Sequence, residues 1–202
     1  MLIDDYNEKI VAMINEVASS QRTKIQEASD LFVDTIRKDK LIHVFGTGHS
    51  HMIGIEMFVR AGGLGNINAM LDDTVVTASG AEKGGVMEKL DGLADIIFDQ
   101  YQIASDDIMI IVSNSGRNPV PVQMALRAKK EGLKLIVITS LTHSKSCESR
   151  DKSGKKLYEL GDIVIDNCVP QGDALLHVGE VGTGPASTIA GSFIVNSIVA
   201  DT

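Results

Sequence analysis

The stretch Leu41–Ser50, LIHVFGTGHS, decides the fold. Apolar and half-apolar residues run from Leu41 to Phe45, Gly46 and Gly48 flank Thr47, and polar His49 and Ser50 lead into an apolar helical pattern. That succession predicts a buried strand, a tight turn and a helix N-terminus. The first N–H groups of such a helix have no partner inside it, and the helix dipole adds partial positive charge, so the junction suits an anion. A second stretch repeats the pattern. Asp107–Val112 (DIMIIV) reads as a strand buried on both faces and runs into the polar turn Ser113-Asn114-Ser115-Gly116-Arg117. Pro119 and Pro121 then stand in the first turn of a helix, where a missing N–H costs nothing.

Outward from these two stretches, further strands are predicted at Ile67–Leu71, Leu133–Thr139 and Ile163–Asp166. Helical periodicity covers 4–38 with a break near Ser19-Ser20, then 50–60 with Phe58 inward and Gly62-Gly63 as its stop. It returns over 87–101 with Leu90 inward, over 119–131, and over 185–200 with Ile189 inward. Residues 72–85 and 172–184 read as glycine-rich loops. The polar run 142–162, with its basic cluster Lys145–Lys156, reads as a solvated loop or a mobile lid. Strands alternating with helices predict an α/β fold: a three-layer α/β/α sandwich on a five-stranded parallel sheet of order 2-1-3-4-5, flavodoxin-like in its winding. In that order strands one and three are neighbours, so the turns 46–50 and 113–117 converge where ligands bind such sheets.

Length and composition narrow the function. At 202 residues a single domain over 1–202 is expected. A net charge of −8 and the absence of Trp argue against a nucleic-acid partner or an anionic membrane surface. They leave open a small phosphorylated ligand, which backbone amides hold without a basic surface. Cys147 and Cys168 lack CxxC spacing, and the acidic N-terminus is no signal peptide, so a cytoplasmic protein is expected. The chain stops at Asp201-Thr202 directly after an apolar helix, the pattern of a truncated end.

The first turn was weighed against known loop types. A dinucleotide fingerprint requires a third glycine where His51 stands, and although Asp72 and Asp73 lie where a ribose-binding acid belongs, the match fails; no cofactor is expected. No GK[ST] follows the glycines, so a Walker A loop is absent. His49 and His51, with Glu56 or Asp72-Asp73, suggest an imidazole metal site, but HxH alone announces no fourth ligand and no metal is expected. A phosphate or sugar site remains, with Gly48, His49 and Ser50 on one side and Ser113, Asn114, Ser115 and Arg117 on the other.

The loop GTGHS, the loop SNSGR followed by NPVP, and the strand ending Ile138-Thr139-Ser140 resemble the sugar isomerase (SIS) domain over residues 5–200. The later runs Val164–Asn167, Gly172–Ala174 and Gly184–Thr188 are similar to a bacterial SIS family grouped with phosphoheptose isomerases. The resemblance implies phosphosugar binding at the tips of strands one, three and four. Ser50, Ser113, Ser115 and either Thr139 or Ser140 would contact phosphate or sugar hydroxyls. It also implies a homodimer or homotetramer with sites near subunit interfaces. Three functions stay open: an aldose–ketose isomerase, a phosphosugar sensor without catalysis, and a lyase or etherase on an amino-sugar phosphate. Isomerisation needs a base between C1 and C2 and an acid for ring opening. Glu88, Glu82 and Glu56 are candidate bases; His49 and His177 are candidate partners. His143 follows strand four within reach of a ligand, and His43, inside strand one, reads as buried and hydrogen-bonded.

Overall fold

The computed structural model describes residues 1–202, the side chain of Ser79 excepted. The chain opens with α1 (Leu2–Ser20) and α2 (Arg22–Arg37), divided at Gln21. It continues through β1 (Ile42–Gly46), α3 (Met52–Met57), β2 (Ile67–Met70), α4 (Ala81–Met87), α5 (Leu93–Phe98) and β3 (Ile108–Val112). Then come α6 (Pro119–Lys130), β4 (Lys134–Thr139), α7 (Leu141–Lys145), β5 (Ile163–Asp166), the short strands β6 (Leu176–Val178) and β7 (Val181–Thr183), and α8 (Ser187–Asp201). Five strands pair in parallel in the order β2-β1-β3-β4-β5.

Strand alternation divides the core into two layers. Ile42, Val44, Ile110, Val112, Ile136, Ile138 and Ile165 pack under Ile25, Ala28 and Phe32 of α2, Ile53 and Met57 of α3, and Ile194, Val195 and Ile198 of α8. Phe45, Met109, Ile111, Leu135 and Val137 point the other way, against α5, α6 and Leu157. With both faces covered, the central strands are mostly apolar rather than alternating, as is usual in parallel sheets. Each such side chain contributes roughly 1.5–3 kcal/mol when fully buried. Gly191 lets α8 lie against α3, since a Cβ there would stand 2.8 Å from Ile53 Cδ1.

Several local expectations are corrected. The segment 72–85 is not only loop: it holds a 3-10 turn at Thr77–Ser79 and α4. The helix expected over 87–101 shrinks to α5, because Gly92 takes a left-handed φ of 83° ahead of it and Leu90 turns outward. α3 ends at Met57, well before the glycine pair: Phe58 is extended and 44% exposed, and Val59 adopts φ 46°. Ile189 faces outward on α8. The glycine-rich run 172–184 contains the antiparallel hairpin β6–β7, paired Leu176 to Thr183.

The basic segment is exposed over most of its length, as a solvated loop is, but it is anchored. Arg150 N–H donates to the Arg117 carbonyl and Leu157 N–H to the Gly116 carbonyl, both at 2.8 Å. Asp151 is buried, and its carboxylate accepts from Ser153 and from Gln123 Nε2. Lys156 Nζ donates to the Ser144 and Cys147 carbonyls. The segment is therefore bonded at both ends to the loop that follows β3. No helix among the described residues is long and apolar enough to cross a membrane.

Candidate functional site

The loops after β1 and β3 meet because their strands are neighbours, with Gly46 opposite Val112. Gly46 is required there: a Cβ would stand 2.6 Å from the Ser50 carbonyl carbon, where the backbone folds back over the strand end. Gly48 N–H donates to the Val75 carbonyl, and His51 Nδ1 meets the Gly48 carbonyl. His51 is thus buried as a staple of the loop, while His49 next to it is exposed.

The side-chain alternation of the strands carries on into the loops and sorts their residues between the two layers. On the α3/α8 side, His49, Ser50, Asn114, Asn167, Ser187 and Thr188 line a narrow crevice. Asn114 Oδ1 accepts from Asn167 Nδ2 at 2.9 Å. Among the described residues Ser50 Oγ and Ser115 Oγ meet no hydrogen-bond partner, whereas Ser187 Oγ donates to Asp173. Asp173 also accepts from the Ala186 and Ser187 N–H groups, so a carboxylate caps α8.

On the α5/α6 side stands Glu88. Its Oε2 accepts from Thr47 Oγ1 at 2.7 Å and its Oε1 from Asn118 Nδ2 at 2.8 Å. One carboxylate therefore bridges the β1 loop and the β3 loop. Asn118 Oδ1 in turn accepts from Arg150 Nη1 at 3.1 Å. The Val120 N–H donates to the Glu88 carbonyl, which fixes the backbone at the same point. The other candidate carboxylates are placed elsewhere. Glu82 is exposed on the first turn of α4. Glu56 is tied to Arg60 and to Asn196 of α8.

Between the two sides lies the β3 loop itself. Ser113 Oγ accepts from Gly116 N–H at 3.2 Å and is buried, closing the turn. Gly116 has φ 57°, and a Cβ on it would stand 3.1 Å from Leu157 Cβ. Thr139 and Ser140 are fully buried beneath: Thr139 Oγ1 donates to the Asn114 carbonyl, and Ser140 Oγ donates to the Val169 carbonyl. Burial lowers the His143 imidazole below its ordinary value; the Arg117 charge acts in the same direction and Asp173 opposes it. The His143 Nδ1 and Ser144 Oγ atoms are buried without a hydrogen-bond partner. Arg117 is half-buried, and among the described residues its side chain makes neither an ion pair nor a hydrogen bond.

His177 is not brought to these loops. It sits exposed on β6, with its Nε2 near Gly182 of β7. Among the described residues no three His, Cys, Asp or Glu side chains gather as a metal site. Sequence reasoning did not single out Thr47, Asn118 or Arg150. The first two stand inside turns already marked as functional, and parity along β1 places Thr47 on the Glu88 side. Nothing local in the sequence points Arg150 at Asn118.

Comparison with known proteins decides the family. The SIS domain family model matches residues 5–140. A UPF0309 protein of Caldanaerobacter subterraneus subsp. tengcongensis is 40% identical over 205 residues, spanning 99% of this chain and 83% of its own. The chain is an SIS-domain protein of the UPF0309 family. Its fold is shared with the phosphoheptose isomerase GmhA of Neisseria gonorrhoeae, at TM-score 0.64 and 13% identity over 98% of this chain and 96% of that one. It is shared too with the Vibrio vulnificus NanR protein complexed with ManNAc-6P, at TM-score 0.59 and 15% identity over 99% and 61%. At such identities the likeness to these SIS-fold structures is one of fold.

Proposed function

We propose that this SIS-domain protein binds a sugar phosphate across the tips of β1, β3 and β4 and moves a proton between C1 and C2, with Glu88 as the base. The observation that carries this reading is the double tether of Glu88 by Thr47 and Asn118. A base in proton transfer must be held in a set direction, and here one hydrogen bond to each oxygen leaves the remaining lone pairs as acceptors. The α3/α8 crevice encloses about 10 Å³, room for about one water, so the sugar lies over its mouth. The Ser50 and Ser115 hydroxyls are the phosphate contacts, Gly48 and Asn114 lie against the sugar, and Ser113, Thr139 and Ser140 support the loop from beneath. The neighbour complexed with ManNAc-6P supports the substrate class.

A sensory role without catalysis is the second reading. It is favoured by the place of His177: one copy of the chain brings Glu88 and His49 to the strand tips but leaves His177 on an exposed hairpin. In the catalytic reading His177 comes from a second copy. The experiment is a thermal shift with a panel of sugar phosphates, joined to solvent-deuterium exchange at C2. Binding that Ser115→Ala weakens about tenfold, with exchange that Glu88→Gln abolishes, is the expected outcome. Binding without exchange leaves the sensory reading, and absence of any shift with the whole panel overturns both.

A further inference from the structure

The site holds positive charge that the proposed reading does not use. Among the described residues Arg117 is half-buried with no salt bridge, and Arg150, itself exposed, donates its backbone N–H to the Arg117 carbonyl at 2.8 Å. Of the five donors on a guanidinium, Arg150 places only Nη1, on Asn118, and Arg117 places none. Neither forms a salt bridge, in contrast to Arg60 with Glu56 and Arg127 with Asp95, Asp99 and Glu131. The segment bearing Arg150 is bonded to the β3 loop at Arg117 and again at Gly116, and Asp151 next to it is buried and bonded to Gln123 of α6. Order in a basic, polar segment of this kind has an entropic cost, and here it fixes the backbone of an unpaired arginine next to the candidate base.

We infer that Arg117 and Arg150 form a two-guanidinium clamp for a second anionic group on the ligand, so that the preferred substrate class is a phosphosugar carrying a further carboxylate or phosphoryl group. The inference rests on the reading of the strand tips as a sugar-phosphate site and names the ligand class more narrowly. Guanidinium forks match carboxylate and phosphoryl oxygens alike, with two parallel bonds each. In that reading the serine hydroxyls hold the first phosphate without either arginine, which leaves the clamp for a separate group.

The test compares three probes by calorimetry at fixed ionic strength: glucose 6-phosphate, 6-phosphogluconate and fructose 1,6-bisphosphate. The wild-type protein is expected to bind at least one of the two doubly anionic probes about tenfold more tightly than glucose 6-phosphate. Arg150→Gln, which removes the charge, is expected to erase that preference. Arg150→Lys retains the charge without the fork and is expected to fall between. The carboxylate and bisphosphate arms separate the two sources of the second charge. Equal affinity of the wild type for all three probes overturns the clamp alone, as does an equal loss for all three in Arg150→Gln. Failure of every probe to bind overturns the sugar-phosphate site and the clamp together.

Discussion

His43 and Asp107 carry a polar network at the N-terminal ends of the strands, opposite the loops. Both are buried, with His43 Nε2 donating to Asp107 Oδ2 at 3.0 Å and Asn68 Nδ2 donating to His43 Nδ1 at 2.9 Å. The Leu41 and Ala104 N–H groups donate to the same carboxylate. Burial by itself would raise the Asp107 carboxyl, but the bonds from His43, Leu41 and Ala104 outweigh it and hold the group below its ordinary value of 3.8. A depressed folded value means that the stabilisation is complete above that ordinary pH and is lost as pH falls through the folded value. Asp107→Asn is expected to destabilise the protein by about 3 kcal/mol at pH 7 in urea unfolding. The gap to wild type should narrow at acid pH, where the wild-type carboxyl is protonated as well. A gap that stays constant from neutral pH into the acid range would refute this account.

At the scale of elements, α8 shows how a helix with apolar residues on most faces is held in place. Its buried residues Gly191, Ile194, Val195 and Ile198 pack on α2 and α3, and Ala190 packs with Met13 of α1. Its N-terminus carries Ser187 and Thr188 to the crevice, and Asp173, from across the hairpin, caps it through three bonds. Asp173 does so at φ 57°, an unfavourable conformation for any residue with a side chain. Asp173→Ala is expected to cost about 1–2 kcal/mol and to speed amide exchange over residues 174–186. Exchange unchanged across that span would show that Tyr6, whose hydroxyl donates to the Pro185 carbonyl at 2.5 Å, holds the segment by itself.

At the scale of the whole molecule, the site is drawn from distant parts of the chain, and His177 remains outside it. The hairpin that carries His177 exposes Val178 and Val181 at its tip, 54% and 68% exposed. An apolar tip beside a histidine suits insertion into a second copy of the chain. Mixing Glu88→Gln with His177→Ala is therefore expected to restore a fraction of the C2 proton exchange that each variant lacks alone, with a light-scattering mass above that of one chain. Exchange at the wild-type rate in His177→Ala would remove His177 from the mechanism.

The five strands, their parallel order and the two polar turns after β1 and β3 were legible in the sequence. Apolar runs, helical periodicity and glycine or proline stops are local signals, and Leu41–Ser50 and Asp107–Arg117 contain them complete. The failures were local as well: Gly92 rather than the apolar pattern set the start of α5, and Val59 took the turn assigned to Gly62-Gly63. Within the candidate site, sequence reading set Glu82 and Glu88 ahead of Glu56 without deciding between those two. Only tertiary structure separated them, because it joined Glu88 to Thr47 across 41 positions and Asn118 to Arg150 across 32. Bonds over such separations depend on how β1, β3 and the segment after α7 pack together, and no local period encodes them.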